Sequence, residues 1–114
     1  MRFMVLMVKA DKDSEAGVLP DQKFLTEMGK YNEELVKAGV ILAGERLHPS
    51  SKGARVRLSK GRLTVTDGPF AETKEAVGGF YVIDCESRDD AIELAGRVPQ
   101  SPGVAVEVHT IAEL

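Results

Sequence analysis

The chain is poor in cysteine, since Cys85 is the only one among 114 residues. A single cysteine cannot form an intramolecular disulfide, and it cannot build a cysteine-based metal site. Cys85 lies in an apolar run, where a buried and inert thiol is far more common than a nucleophile. A chain of this length can bury a core without disulfides or metal. We therefore expect one domain, spanning residues 1–114.

Long apolar runs and an excess of basic residues are also missing. Residues 3–8 are apolar, but Lys9 and Asp11 end a run that is too short for a signal-peptide core or a membrane span. The 15 lysines and arginines are outnumbered by 18 aspartates and glutamates, which gives a net charge of −3. Nucleic-acid-binding proteins usually carry a basic balance or stripe. We expect a cytoplasmic protein with no membrane partner and no nucleic-acid partner.

The usual signatures of cofactor and metal sites are absent from the sequence as well. The glycines, including the pair Gly78-Gly79, fit neither the P-loop nor the dinucleotide-binding fingerprint. His48 and His109 are not at metal-ligand spacing. The sequence thus predicts no cofactor and no metal. Gly78-Gly79 opens an apolar strand, where glycine often marks a bulge or the close approach of a backbone or a ligand.

The sequence does contain a clear alternation of strand and helix patterns. Apolar or alternating runs predict strands over residues 3–8, 40–43, 77–83 and 104–108. Helical periodicity predicts helices that begin after the capping residues Asp21 and Ser87. Residues 54–58 and 63–66 alternate around a short turn and predict a β-hairpin. Its two faces are an aliphatic one, with Val56, Leu58, Leu63 and Val65, and a polar one, with Arg55, Arg57, Arg62 and Thr64.

The order strand, helix, strand, hairpin, strand, helix, strand predicts the α+β class. It matches a ferredoxin-like subunit, with both helices on one face of the sheet and an inserted β-hairpin. The first strand and the 77–83 strand are nevertheless apolar on both sides. Because the sequence predicts no third layer of secondary structure, a second subunit is the simplest way to cover the other face of the sheet. We therefore expect a homodimer in which two sheets pack face to face as a dimeric α+β barrel.

The densest chemistry lies in the segment 67–75, Asp-Gly-Pro-Phe-Ala-Glu-Thr-Lys-Glu, a turn followed by a polar tail. This segment resembles the signature of the YCII-related family, in the branch named after its Asp-Gly-Pro-Phe motif. Residues 43–49, 78–81 and 106–108 are similar to the family too, so that the resemblance spans essentially the whole chain. It implies a dimeric α+β barrel of ferredoxin-like subunits and, by analogy with some relatives, a His–Asp pair in a cleft. Fold alone does not give function.

The resemblance and the residue chemistry together make His48 and Asp67 the candidate catalytic pair. A histidine in a cleft supplies an acid/base near neutral pH. Asp67 could orient that imidazole or act as a base itself. The alternatives are a surface or capping role for His48 and, for Asp67, a bond to the backbone of its own turn.

A second set of polar residues is placed to bind a substrate. Lys74 is the best candidate to bind an anion, and Glu72 and Thr73 could line the same cleft. Arg55 and Arg57 could hold a carboxylate bidentately. For these two arginines, a solvated hairpin face is the more common role.

Two functions from different classes stay open at this stage. The first is a cofactor-free enzyme that performs acid/base chemistry on a small anionic organic molecule in a cleft of the barrel. The second is a non-catalytic dimeric module that binds a metabolite or a protein. A third, an accessory protein whose 67–75 loop is only structural, is weaker because a turn does not need such a polar tail.

Overall fold

The computed structural model describes residues 1–9, 21–69, 76–99 and 104–113. The elements within these ranges are β1 (Arg2–Lys9), α1 (Gln22–Lys37), β2 (Ile41–Arg46), a short 3-10 turn (Ser50–Lys52), β3 (Ala54–Ser59), β4 (Arg62–Asp67), β5 (Ala76–Asp84), α2 (Arg88–Gly96) and β6 (Val104–Thr110).

Four of the strands form one sheet in the order β2-β5-β1-β6, and each is antiparallel to its neighbours. Helix α1 connects β1 to β2, and α2 lies between β5 and β6, which is the ferredoxin-like arrangement. Strands β3 and β4 form a separate hairpin, inserted between β2 and β5. The predicted α+β class and the inserted hairpin are confirmed.

The helices begin where the capping residues predict. The Asp21 carboxylate accepts a hydrogen bond from the Phe24 amide at 2.8 Å, and the Ser87 hydroxyl accepts one from the Asp90 amide at 3.2 Å. Each bond satisfies an amide that has no partner inside the first turn of its helix. After α1, Gly39 adopts a φ of 70°, a conformation that ends helices and favours glycine.

The second strand is longer than predicted. The apolar pattern indicates residues 40–43, whereas β2 runs from Ile41 to Arg46. Its polar end pairs with β5, with Glu45 opposite Phe80 and Arg46 opposite Gly79. An edge strand is held by backbone hydrogen bonds on one side and tolerates charged side chains, so its hydropathy underestimates its length.

The core lies between the two helices and one face of the sheet. Phe3, Val5 and Ile83 from the sheet pack with Tyr31 and Leu35 of α1. Helix α2 adds small buried residues, Ala91 and Ala95, and Val98 follows it. The sheet residues of lowest exposure, Phe3, Val5 and Ile83, come from alternate positions of β1 and from the same face of β5, as a half-covered antiparallel sheet requires.

The opposite face of the sheet carries apolar side chains in the intermediate positions of the same strands. Met4 and Leu6 of β1 lie opposite Val82 and Phe80 of β5, and all four are half-buried. We call this surface the open sheet face. This face is the second apolar side that the sequence pattern predicts for β1 and β5.

The hairpin extends the chain away from this sheet. Its turn residues Lys60 and Gly61 both have positive φ, 50° and 75°, which suits a two-residue turn between twisted strands. The register places Val56 opposite Val65 and Leu58 opposite Leu63, so the predicted aliphatic face is real. These four side chains are 61–72% exposed.

Candidate functional site

A cavity of about 370 Å³ lies between α1 and the end of the sheet where β1 and β2 finish and β5 and β6 begin. Its lining residues are, from α1, Phe24, Leu25, Met28, Gly29 and Asn32; from the strands, Met7, Gly44, Glu45, Arg46, Gly78, Gly79, Tyr81 and Val104; and, after α2, Val98 and Pro99. The lining is mostly apolar, with a few polar groups, as is typical of small-molecule sites.

The glycines that line the cavity differ in the space beside them. A Cβ at Gly29, in the middle of α1, would meet no atom within 4 Å, so the helix leaves an opening there. At Gly44 a Cβ would lie 2.6 Å from the Tyr81 ring, and at Gly79 it would lie 3.0 Å from the Glu45 carbonyl oxygen. Only glycine lets the ring and the neighbouring backbone approach this closely.

Gly78 lies at an irregularity of the sheet. Met7 pairs with Gly79 and Val8 pairs with Val77, so Gly78 is an additional residue on β5. An unpaired residue of this kind is a β-bulge, which bends its strand and often lies near a functional site. Of the alternatives that the sequence leaves open for Gly78-Gly79, the bulge is present at Gly78, and both glycines line the cavity.

Two tyrosines and an asparagine form the polar part of the cavity wall and the layer behind it. The Tyr81 hydroxyl donates a hydrogen bond to Asn32 Oδ1, which leaves the Asn32 amide hydrogens to donate elsewhere. Tyr31 packs edge-on against Tyr81, with ring centroids 5.7 Å apart, and its hydroxyl donates to the Leu94 carbonyl at 2.7 Å. Burial raises the pKa of Tyr81, and burial raises the pKa of Tyr31 to about 12. Both phenols therefore stay protonated as donors at neutral pH.

Two charged residues lie at the rim of the cavity, at the end of β2. Glu45 and Arg46 both line it, and both are exposed. Within the described part of the chain, the Arg46 guanidinium forms no ion pair. A guanidinium at the rim of an apolar cavity can bind a carboxylate with two parallel hydrogen bonds.

His48, in the loop after β2, and Asp67, the last residue of β4, lie next to two turns whose backbones pack together. The Gly68 amide donates to the Gly53 carbonyl at 3.0 Å, and a Cβ on Gly68 would lie 1.7 Å from the Ser50 carbonyl oxygen. The glycine of the Asp-Gly-Pro turn is thus required by this contact. His48 and Asp67 are both exposed, and among the described residues no hydrogen bond or ion pair joins them.

The His48 loop begins beside the cavity. The Leu47 amide donates to the carbonyl of the cavity residue Gly78 at 2.9 Å, which continues the pairing of β2 with β5 by one residue. His48 follows directly in the chain. Neither His48 nor Asp67 lines the cavity.

The other predicted binding residues lie apart from the cavity or beyond the described chain. Arg55 is half-buried on the hairpin, and Arg57 is exposed there opposite Thr64. Neither arginine lines the cavity. Glu72, Thr73 and Lys74 lie outside the described residues, so their predicted roles stay predictions.

The cysteine is buried, as its position in the sequence predicts. The Cys85 side chain is 7% exposed, and burial raises the pKa of its thiol. A thiol held protonated is a poor nucleophile. In the ranges that the structure describes, no group of three or more His, Cys, Asp or Glu side chains is arranged to hold a metal ion.

Known proteins resemble this chain over nearly its full length. Residues 1–113 match the sequence model of the YCII-related domain. The chain belongs to the YCII-related family. An uncharacterized protein of Rhizobium meliloti (strain 1021) is 41% identical over 75 residues, which are 66% of this chain and 60% of that relative. The family predicted from the segment 67–75 is therefore confirmed, while membership of the Asp-Gly-Pro-Phe branch stays a prediction.

Helices α1 and α2 of this YCII-related protein have 16 and 9 residues. None of the helices in the described ranges is long and apolar enough to cross a membrane. The cellular compartment stays a prediction from the sequence.

Proposed function

We propose that this YCII-related protein binds a small organic molecule, with an apolar body, in the cavity between α1 and the sheet. The observation that carries the proposal is the cavity itself, whose volume of about 370 Å³ falls within the range of ligand sites. Gly29 leaves open space on the helix side, since a Cβ there would meet no atom within 4 Å, and the bulge residue Gly78 lines the cavity from the sheet. A helix-interior glycine lowers helix stability by about 1 kcal/mol relative to alanine. The glycine that leaves this open space therefore lowers the stability of α1.

The polar groups around the cavity favour a ligand that carries a carboxylate. Arg46 at the rim can pair with the anion. The Asn32 amide hydrogens can donate to a ligand oxygen, because the Asn32 carbonyl oxygen already accepts from Tyr81. These groups support an anionic ligand, the class expected from the sequence. The proposed ligand contacts are Arg46 and Asn32, and not the hairpin residues Arg55 and Arg57.

Glycine amides give a direct test of binding, because they are well separated in an amide proton–nitrogen correlation spectrum. Titration with 4-phenylbutanoate should shift the amides of Gly29, Gly44 and Gly79. It should leave Gly39 and Gly61, which do not line the cavity, in place. The neutral 4-phenylbutanamide should bind more weakly if Arg46 pairs with the anion.

A matched pair of variants tests the location of the ligand. Gly29→Leu places a side chain into the open space and should abolish the shifts, whereas Gly96→Leu changes a glycine of α2 outside the cavity and should preserve them. Equal binding by both variants, or shifts confined to the hairpin and the open sheet face, would contradict a ligand in this cavity.

Acid/base chemistry by His48 and Asp67 is a second candidate, supported by the packing of the Gly68 turn against the Ser50 backbone. That contact holds the two loops together, and the His48 loop starts beside the cavity residue Gly78. The test is whether the His48 ring-proton resonances change in Asp67→Asn, with His109 as the internal control. If both histidines give wild-type spectra, the pair does not interact and the binding function stands alone.

We also propose that two copies pair through the open sheet face as a dimeric α+β barrel. What supports this is the half-burial of Met4, Leu6, Phe80 and Val82 on a face that the two helices do not cover. Each apolar side chain covered by a partner would contribute about 1.5–3 kcal/mol relative to exposure. Sedimentation at micromolar concentration tests it, and a stable monomer would contradict it.

A further inference from the structure

We propose that the aliphatic face of the β3–β4 hairpin is an intermolecular arm that packs against the acidic body of a second copy of this chain. The arm is defined as residues 54–67, and the body as the other described residues, 1–9, 21–53, 68–69, 76–99 and 104–113. This contact is additional to the pairing of open sheet faces proposed above.

The arm presents an ordered apolar surface to solvent. Val56 and Val65 form one cross-strand pair and Leu58 and Leu63 the next, with exposures of 61%, 64%, 70% and 72% in that order. A two-stranded hairpin is marginally stable in water unless its apolar face packs against something. Within the described ranges, β3 and β4 have each other as their main packing partners. The described part of this protomer therefore supplies no surface that covers the aliphatic face.

The net charge of the arm indicates the charge of the surface that it contacts. The arm holds four of the 15 lysines and arginines, but only one of the 18 aspartates and glutamates. The arm therefore has a net charge of +3, whereas the body, with nine lysines and arginines against twelve aspartates and glutamates, has one of −3. Opposite charges favour association and orient the partners. An arm on the body of a second copy satisfies this complementarity reciprocally, whereas an arm on another arm would bring two basic surfaces together.

The aliphatic side chains of the arm can supply a large part of the area that a stable dimer buries. A buried aliphatic side chain covers about 60–120 Å², so four of them bury about 240–480 Å² in each protomer. A stable interface buries about 800 Å² on each partner. In a reciprocal contact, each protomer also buries the part of its body that the other arm covers, so the buried area per protomer approaches that size.

Sedimentation of surface variants tests the arm. Leu58→Ser combined with Leu63→Ser removes one aliphatic pair at exposed positions. It should raise the dimer dissociation constant at least about thirtyfold, or about 2 kcal/mol. The control, Arg57→Lys with Thr64→Ser, alters the neighbouring pair on the opposite face at constant charge and should stay within about threefold. A monomeric wild type, or an unchanged dissociation constant in the leucine variant, would overturn the arm.

A fluorescent probe on the arm separates this contact from the sheet contact. Cys85→Ala removes the natural thiol, and Leu58→Cys then accepts a polarity-sensitive dye. Its emission should shift to the blue as unlabelled wild-type protein is added. A dimer in which the dye stays in water would overturn the arm and leave the sheet pairing intact. Conversely, if Leu6→Asp on the open sheet face leaves the dimer intact while the leucine variant dissociates it, the arm stands and the sheet pairing fails.

Discussion

The two faces of the central sheet are built from the same strands but are covered differently. Phe3 and Val5 are 0% and 1% exposed beneath the helices, whereas Met4 and Leu6, which alternate with them in β1, are half-buried. Hydropathy is similar at the two sets of positions. The position of the helices thus decides which apolar residues enter the core and which are left for the proposed pairing of sheets.

The largest expected effect comes from the same charge placed on each face. Val5→Asp would bury a carboxylate with no partner among apolar side chains, which costs about 3–5 kcal/mol. That is a large share of the stability of a small domain, so we expect this variant to be unfolded. Leu6→Asp places the carboxylate on the open sheet face and should leave the protomer folded while preventing the pairing of sheets.

Circular dichroism and sedimentation together measure this pair of variants. Folded and dimeric Leu6→Asp protein would show that the open sheet face is not an interface. Folded Val5→Asp protein would contradict the description of the core.

Alanine substitutions at two glycines, which line the same cavity from opposite sides, should have smaller effects on stability. Gly44→Ala would bring a methyl group to 2.6 Å from the Tyr81 ring, which must move and lose its bond to Asn32. Overpacking of this kind costs about 1–3 kcal/mol. Gly29→Ala points into open space within α1 and should instead stabilise the protein by about 1 kcal/mol. Urea unfolding of the two variants should therefore give changes of opposite sign.

The tyrosines on the covered face predict how stability depends on pH. Burial raises the pKa of Tyr31 from 10.0 to about 12. Between these values the unfolded chain loses the phenol proton while the folded chain keeps it. The stability that Tyr31 contributes is therefore complete below about pH 10 and decreases as the pH rises towards 12.

Tyr31→Phe provides the control for this pH dependence. Phenylalanine cannot titrate, so the loss of unfolding free energy above pH 10 should be shallower in the variant, with Tyr81 accounting for part of the remainder. The variant also loses the hydrogen bond to the Leu94 carbonyl, which lowers stability by about 0.5–1.5 kcal/mol at neutral pH. Equal slopes in both proteins would mean that Tyr31 is not buried as described.

The sequence predicts the covered face better than it predicts the cavity. Strand and helix periodicity locate both helices and the hairpin register, because each depends on neighbours in the chain. The cavity depends on which residues the antiparallel order brings together from α1, β2 and β5. Asn32, Arg46 and Tyr81 are separated by up to 49 positions, and nothing in their local pattern marks them as neighbours. The one local signal was glycine: Gly78-Gly79 was identified, whereas Gly29 and Gly44 were missed.

The smallest expected effect on stability concerns Asp67, the residue at the boundary between the arm and the polar segment 67–75. Asp67 is exposed, so Asp67→Asn should change the free energy of unfolding by less than about 0.5 kcal/mol. Its effect on binding separates the two functional candidates. If the cavity alone binds the ligand, Asp67→Asn should give the same glycine shifts with 4-phenylbutanoate as the wild type, while Arg46→Gln weakens them. If Asp67 acts with His48 on the ligand, the folded Asp67→Asn protein should give glycine shifts that differ from those of the wild type. An unfolded variant would contradict the expectation, shared by both candidates, that Asp67→Asn folds.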